Sequence, residues 1–212
     1  MRLHSILKLG FFAPSRTTFL PAKIGLTKTK HILVPALSMT RLRMPLMKIE
    51  VVPAASEQVP VLANLLQLYA HDFSEFHDLE IGADGSFVYE HLPLYWSEPG
   101  RPPFLVWVDN ELGFVLVKKG SETSGNGHVW DMAEFFVLRA YRRRRVGTRI
   151  AYEVWKRFPG VWEVRVMQAN AAALNFWTRA ISEFTGKNID PVRFGKDGES
   201  WMLFCFASTH LA

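Results

Sequence analysis

Hydrophobic and polar positions along the chain predict strands that alternate with helices. Apolar residues recur at helical spacing in residues 56–73, 146–158 and 170–181, which predicts three amphipathic helices. Short runs rich in β-branched and aromatic residues predict strands at 48–53, 104–108, 114–117, 130–138, 162–166 and 201–206. This order indicates one α/β domain of the α+β type, in which helices flank a central mixed, mostly antiparallel sheet of about six or seven strands.

The segments between these elements predict one tight turn and two loops. Asp109 and Asn110 stand between the second and third strands and predict a β-hairpin. Residues 72–101 and 121–128 carry the Gly, Pro and polar positions of loops. No stretch approaches the roughly 20 uncharged apolar residues that a transmembrane helix needs, so we expect no membrane partner.

The positive charge of the chain belongs to its first quarter. The 212 residues carry a formal net charge of +5. Residues 1–48 contain nine Lys and Arg and no acidic residue, so 16 basic residues and all 20 acidic ones lie beyond them. The remainder is therefore slightly acidic, and we expect it to have no nucleic-acid partner.

Residues 1–47 form a basic leader that we separate from the domain at 48–212. Its basic, acid-free, Ser- and Thr-containing composition is typical of an organelle transit peptide, whereas Lys8 interrupts the apolar run of a secretory signal. An extension from an upstream start codon also fits, because Met39, Met44 and Met47 precede the patterned region. We expect the leader to be disordered. We expect a cytoplasmic protein, or a mitochondrial or plastid one if the leader is a transit peptide.

The cysteine and histidine positions exclude several kinds of site. Cys205 is the only cysteine, so the chain has no internal disulfide and no multi-cysteine metal site. It stands in the apolar strand 201–206, which predicts a buried, unreactive thiol. The seven histidines show no H-x-x-x-H or H-E-x-x-H spacing, and we expect no metal.

A basic loop joins the strand 130–138 to the next helix. Arg142, Arg143, Arg144 and Arg145 are followed by Val146, Gly147 and Thr148, which open the helix. The N–H groups and partial positive charge of a helix N-terminus favour a phosphate group. Gly147 lets the backbone approach a ligand, and arginines add bidentate contacts. An arginine run alone is usually a solvated turn, but this position between strand and helix favours a phosphate site.

Two segments resemble the GNAT superfamily of N-acetyltransferases, which use acetyl-CoA. The first family signature is a strand ending in Val followed by Q/R-x-x-G-x-G/A. Val137, Arg142 and Gly147 match it, whereas Arg145 stands where the family has its first glycine. The second signature, N-x-x-A-x-x-F-Y, is similar to the run from Asn170 to Trp177. The resemblance extends over roughly residues 49–206 and implies a single GNAT-like domain.

The resemblance implies that acetyl-CoA is a co-substrate held by the strand end, the basic loop and the second signature. The implied positions are Phe136, Val137, Leu138, Arg142, Arg143, Arg144, Arg145, Val146, Gly147, Thr148, Asn170 and Phe176. Main-chain groups of the strand end would bind the pantetheine arm where two strands separate, and loop N–H groups would bind the pyrophosphate. Asn170 would bond the arm, and Phe176 would line the thiol end. Residue preference also makes Asn170 a helix N-cap.

Two acids on the strand 130–138, Asp131 and Glu134, are the candidate catalytic bases. An amine must lose a proton before it attacks a thioester, so a base is needed. Strand alternation predicts that the two acids lie on opposite faces of the sheet. Apolar neighbours would raise the pKa of either carboxyl group. Some family members carry the base six residues before the strand-ending Val, which points to Asp131, and we expect at least one acid to be solvated.

The activity implied by the resemblance is direct acetyl transfer from acetyl-CoA to an amine. The acceptor is a small amine or a peptide or protein amine, and a homodimer is left open. The segment from Tyr69 to Glu80, rich in acids, histidines and aromatics, lies where the family shapes its acceptor pocket, and a frayed, acidic helix end is the alternative. Trp177 replaces the tyrosine that often protonates the thiolate. This departure and Arg145 support an alternative, a non-catalytic acyl-CoA-binding or regulatory module.

Overall fold

The computed structural model describes residues 47–109, 111–196 and 198–208, and these residues build one sheet with helices on both faces. The strands are β1 (Ile49–Pro53), β2 (Pro103–Val108), β3 (Glu111–Lys119), β4 (Trp130–Phe136), β5 (Gly160–Met167), β6 (Val192–Lys196) and β7 (Glu199–Ser208). The helices are α1 (Val59–Phe73), α2 (Leu94–Ser97), α3 (Val146–Arg157) and α4 (Ala171–Thr185), with 3₁₀ turns at Ser56–Gln58 and Arg139–Tyr141.

The sheet is mixed and mostly antiparallel, which confirms the predicted fold class. Its strand order is β1-β2-β3-β4-β5-β7-β6, and only β4 and β5 are parallel. Val108 pairs with Glu111, so the predicted hairpin is confirmed, although Asn110 lies outside the described residues. The sequence reading did not predict β6 or α2. Both are short, and β6 is a mostly exposed edge strand that lacks the alternation of a half-buried one.

Each face of the sheet carries its own apolar core. One face packs against α3 and α4, and α3 contributes a buried stripe because its apolar residues recur at helical spacing. That stripe consists of Val146, Ile150, Ala151, Val154 and Trp155. The other face packs against α1 through Leu62, Leu65 and Leu66. The helices therefore bracket the middle of the sheet, where β4 and β5 lie.

Strands β4 and β5 pair at one end and then separate. Trp130 pairs with Trp162 and Asp131 with Glu163, and the ladder goes no further. Beyond these pairs, the main-chain groups on the two facing edges are not bonded to each other. Buried backbone N–H and C=O groups require partners. The opening is therefore suited to a ligand that brings amides of its own.

A β-bulge in β4 overturns one prediction about the two acids. Leu116 and Lys118 lie on the same face of β3, and they pair with Glu134 and Asp131, respectively. An extra residue, Ala133, interrupts the alternation of β4 between these two pairs. Asp131 and Glu134 therefore lie on the same face, the one covered by α1. The prediction of opposite faces was wrong because strict alternation fails at a bulge.

Two positions near the ends of the domain complete the fold. The predicted leader lies outside the described residues except for Met47, which packs against the core and accepts a hydrogen bond from Arg149 Nη1 at 3.2 Å. Cys205 is exposed, so the prediction of a buried thiol was wrong. It alternates with Phe204 and Phe206, which take the buried face of β7.

Within the described ranges, no helix combines the length and the apolar character needed to cross a bilayer.

Candidate active site

A cavity of about 200 Å³ lies where β4 and β5 separate. Its lining residues come from both faces of the sheet, so the cavity passes between the strands. On the α3–α4 face the lining residues are Met132, Phe135, Val164, Val166, Asn170, Ala173 and Trp177. On the α1 face they are Tyr69, Phe73, Ala133, Glu134, Arg165, Met167 and Trp201. The opening on the α3–α4 face is mostly apolar. The opening on the α1 face carries the carboxyl group of Glu134, the guanidinium of Arg165 and the hydroxyl of Tyr69.

Glu134 is the predicted acid that lines the cavity. The hydroxyl of Tyr89 donates a hydrogen bond to Glu134 Oε1 at 3.2 Å, and the hydroxyl of Tyr69 interacts with the same carboxyl group. Desolvation raises the pKa of Glu134, and the two hydroxyl groups and the charge of Arg165 oppose this effect without cancelling it. A desolvated carboxyl group with a raised pKa is suited to accept a proton near neutral pH.

Asp131 lies outside the cavity lining and belongs to a buried ion cluster. Its Oδ2 is 3.0 Å from Arg165 Nη2 and 3.9 Å from Lys118 Nζ. Burial raises the pKa of Asp131, and the two cations offset only part of that rise. This geometry favours Glu134 over Asp131 as the group that meets a substrate. No group of three His, Cys, Asp or Glu residues in the described parts of the chain could hold a metal ion.

The basic loop after β4 is anchored by Asp72, which sequence reasoning placed in the acceptor-pocket segment 69–80 and did not connect with this loop. Arg139 Nε donates to Asp72 Oδ1 at 2.9 Å, and Arg142 Nη2 donates to Asp72 Oδ2 at 2.5 Å. Arg142 Nε also donates to the carbonyl oxygen of Val137 at 2.8 Å. Partial burial acts to raise the pKa of Asp72, but the arginine hydrogen bonds outweigh it and lower that pKa. The side chain of Arg142 therefore ties the loop to α1.

The loop then curls through two residues in the left-handed region. Arg143 has φ 63° and Arg145, the N-cap of α3, has φ 60°. A non-glycine residue in this conformation costs about 1–2 kcal/mol, and Arg145 stands at the position where the signature described above has its first glycine. Its guanidinium donates to Glu183 Oε2 on α4 at 2.6 Å. Such turns at a helix N-terminus are typical of backbone nests that bind anions.

The first turn of α3 packs closely against α4. A Cβ atom on Gly147 would lie 3.1 Å from two ring atoms of Phe176, so a larger residue would displace that ring. The Phe176 ring stacks on Phe135 with 5.9 Å between centroids. Gly147 therefore serves helix packing as well as any ligand approach. Phe176 is not among the cavity-lining residues, and its neighbour Trp177 is.

Asn170 both caps α4 and lines the cavity. Its Oδ1 accepts a hydrogen bond from the backbone N–H of Ala173 at 2.9 Å, which confirms the predicted N-cap. Trp177, also in the lining, has no hydroxyl to offer a thiolate. Tyr69 brings a hydroxyl to the cavity instead, and burial together with Glu134 raises the pKa of Tyr69 well above its usual value, so it stays protonated.

Sequence reasoning placed Tyr69 in the segment 69–80 that the resemblance assigns to the acceptor pocket, but it missed the other residues around Glu134. Tyr69, Tyr89, Arg165 and Trp201 come from α1, the loop before α2, β5 and β7. A signal existed for Arg165, since it is a charged residue within the otherwise apolar end of β5. Nothing in the local pattern indicated that the four would meet.

A family model agrees with this architecture. The model described as the acetyltransferase (GNAT) family matches residues 62–181, which is more than half of the chain. The chain belongs to the GNAT acetyltransferase family. No match was found among the curated proteins. GNAT proteins transfer acyl groups from acetyl-CoA, so membership supports an acyltransferase.

Solved GNAT structures share the fold at low sequence identity. An acetyltransferase from Thermus thermophilus is 16% identical with a TM-score of 0.55, over 75% of this chain and 96% of that one. A GNAT acetyltransferase from Streptococcus pneumoniae is 14% identical with a TM-score of 0.50, over 76% and 99%. A variant of a spermidine N-acetyltransferase from Vibrio cholerae is 9% identical with a TM-score of 0.50, over 76% and 94%. At these identities the likeness concerns the fold.

Proposed function

We propose that the protein is an N-acetyltransferase that moves an acetyl group from acetyl-CoA directly to an amine, without a covalent enzyme intermediate. The cavity between β4 and β5 carries this proposal. It has the N-terminal region of α4 and the stacked Phe135 on one face, and Glu134 on the other. A donor and an acceptor can therefore approach one point from opposite faces of the sheet.

The residues present fit acetyl-CoA. The facing edges of β4 and β5 leave main-chain groups for the amides of a pantetheine arm, and Phe136, Val137 and Leu138 continue that edge. Main-chain N–H groups from Arg143 to Thr148 would hold the pyrophosphate. The exposed arginines of this loop add positive charge. Bound acetyl-CoA supplies an activated thioester carbonyl group.

Glu134 accepts the proton that the amine must lose, either directly or through one water molecule. The amine nitrogen forms a bond to the acetyl carbonyl carbon as the carbon–sulfur bond breaks. A main-chain N–H of β4 stabilises the negative charge on the carbonyl oxygen. The sulfur takes its proton from solvent, since Trp177 has no hydroxyl and the hydroxyl of Tyr69 is engaged with Glu134.

The acceptor is a small amine or a peptide or protein amine that enters from the α1 face. Phe73 and Trp201, with 6.4 Å between ring centroids, form an aromatic wall beside Tyr69. Such a wall suits the alkyl part of an amine or its cationic head. The spermidine N-acetyltransferase named among the structural neighbours supports an amine acceptor.

Calorimetric titration of acetyl-CoA and a thiol-release assay over a panel of amines test this function. We expect micromolar binding by the full chain, and a loss of about tenfold or more in Gly147→Trp, where the new side chain displaces Phe176 and fills the loop. Glu134→Gln should keep binding and lose about 10²–10⁴ in turnover. Glu90→Gln, which changes an exposed acid near Tyr89, is the matched control and should keep turnover.

Three outcomes separate the hypotheses. Binding with turnover that depends on Glu134 supports the proposal. Binding without turnover on any amine supports the non-catalytic acyl-CoA-binding module. A folded protein that binds no acetyl-CoA contradicts both.

A further inference from the structure

A largely buried arginine shares the cavity with Glu134. Arg165 on β5 and Glu134 on β4 both line it on the α1 face. The side chain of Arg165 is 19% exposed, and its Nη2 lies 3.0 Å from Asp131 Oδ2. Its Nε is buried without a hydrogen-bond partner among the described residues. Burying a guanidinium in this way is costly, which indicates a use for its charge at this place.

We propose that Arg165 is a positioning residue that keeps Glu134 ionised, and so ready to accept a proton, in a largely desolvated part of the cavity. This proposal rests on the proposed function in one respect, which is that Glu134 accepts the proton of the amine. The effect of Arg165 on the Glu134 carboxyl group can be measured without any acetyl transfer.

Among the groups that face Glu134, two hydroxyl groups favour its ionised form by hydrogen bonding, and Arg165 adds a positive charge. Tyr69 approaches from α1, Tyr89 from the loop before α2 and Tyr95 from α2, and all three are neutral. Asp131, on the same strand, is an acid and disfavours a second negative charge. Of these neighbours, Arg165 alone is positively charged. Without it, only the hydrogen bonds from Tyr69 and Tyr89 would oppose desolvation and Asp131, so Glu134 would hold its proton to a higher pH.

The ion cluster behind the cavity explains how the arginine is held in place. Asp131 is fully buried and binds the Nη2 end of the guanidinium, so the side chain has one fixed partner. Lys118 lies 3.9 Å from the same carboxylate oxygen but is matched by Glu122 at 2.6 Å. Asp131 therefore orients Arg165, and Arg165 acts on Glu134.

The test follows the protonation of Glu134 in the full chain without ligand. Infrared difference spectroscopy reports the carboxyl band, which is assigned by its absence in Glu134→Gln. An opposite charge close to a carboxyl group lowers its pKa by roughly 1–3 pH units. We therefore expect Arg165→Met to raise the titration midpoint of Glu134 by about one pH unit or more.

The pH profile of kcat/KM gives a second readout. Its acidic limb should move upward with the midpoint, so that Arg165→Met loses about tenfold in activity on that limb and regains it at higher pH. Arg165→Lys should restore most of the original profile. Lys118→Met is the matched control, because it removes a positive charge from the same cluster but from outside the cavity lining, and it should leave the midpoint unchanged.

A double variant covers the case in which Arg165→Met does not fold. Asp131→Asn with Arg165→Met is compared with Asp131→Asn alone, because these two proteins differ only in Arg165, and the midpoint should be higher in the double variant. An unchanged midpoint in either folded comparison overturns the proposal. If acetylation is absent or does not depend on Glu134, the proposed function fails, and the infrared midpoint still decides the role of Arg165.

Discussion

Asp131→Asn tests whether the second acid of β4 serves folding or chemistry. The side chain of Asp131 is fully buried and faces Arg165 at 3.0 Å and Lys118 at 3.9 Å. Asparagine keeps the shape and removes the charge. It leaves two cations whose side chains are only 19% and 10% exposed. The substitution should therefore lower the free energy of unfolding, because it leaves positive charge buried without a carboxylate partner.

The expected loss is about 3 kcal/mol of unfolding free energy, the low end for breaking a buried ion pair. The low end applies because Lys118 keeps Glu122 at 2.6 Å. For a domain of this size the melting temperature should fall by about 6–12 °C. Desolvation, which raises the pKa of Asp131, offsets part of this loss, so about 3 kcal/mol is the upper bound. Adding Arg165→Met removes the guanidinium that the single variant leaves unpaired and should restore stability to within about 1 kcal/mol of the parent.

Chemical denaturation followed by tryptophan fluorescence measures the unfolding free energy of both variants. Turnover per folded molecule is measured at a temperature where all proteins are folded and at a pH above the titration midpoint of Glu134, where Glu134 is ionised whether or not Arg165 is held in place. Asp131→Asn should keep turnover there. Unchanged stability together with turnover lost at every pH in Asp131→Asn would refute this reasoning and favour Asp131 as the base. A double variant as unstable as the single one would show that the cost does not come from the unpaired cations.

Three further predictions concern the loop and the candidate base. Asp72→Asn should weaken the anchor on Arg142 and raise the KM for acetyl-CoA with little change in kcat, as measured by initial rates; a fall in kcat alone would contradict this. Arg145→Gly should be more stable than Arg145→Ala by about 1 kcal/mol in denaturant unfolding, since both lose the contact with Glu183 and only alanine keeps the left-handed strain; equal stabilities would argue against strain. Because burial raises the pKa of Glu134, ionising this carboxyl group costs unfolding free energy. This cost is absent at low pH, grows as pH rises from the ordinary pKa of 4.5, and is complete above the raised pKa. Glu134→Gln should therefore raise the melting temperature at alkaline pH and lose that advantage near pH 4.5, and a pH-independent difference would contradict the shift.

The sequence predicted those features of the site that depend on neighbours along the chain. The stripe of α3 follows from helical spacing, and Asn170 caps α4 because its amide reaches a backbone N–H three residues away. The strand–loop–helix junction at Arg142 to Gly147 is local in the same sense. Arg145 departs from the glycine of the family signature, and its backbone lies in the left-handed region, which glycine adopts without a steric cost.

The contacts that depend on register and on distant segments could not be predicted in this way. The anchor at Asp72 joins α1 to a loop some 70 residues later. The surroundings of Glu134 combine Tyr69, Tyr89 and Arg165 from three other segments. Propensity and spacing carry no information about such meetings, because they describe each segment separately.

By itself, the sequence determined the order of the strands and helices other than α2 and β6, the mixed sheet and the position of the basic loop, because periodicity, caps and turn residues act over a few positions. The tertiary structure decided which acid meets the cavity. The bulge at Ala133 brings Asp131 and Glu134 to one face, and the separation of β4 from β5 opens the cavity beside Glu134 while Arg165 and Lys118 enclose Asp131. Strand register and burial are properties of the assembled sheet, and they set the environment that gives each carboxyl group its chemistry.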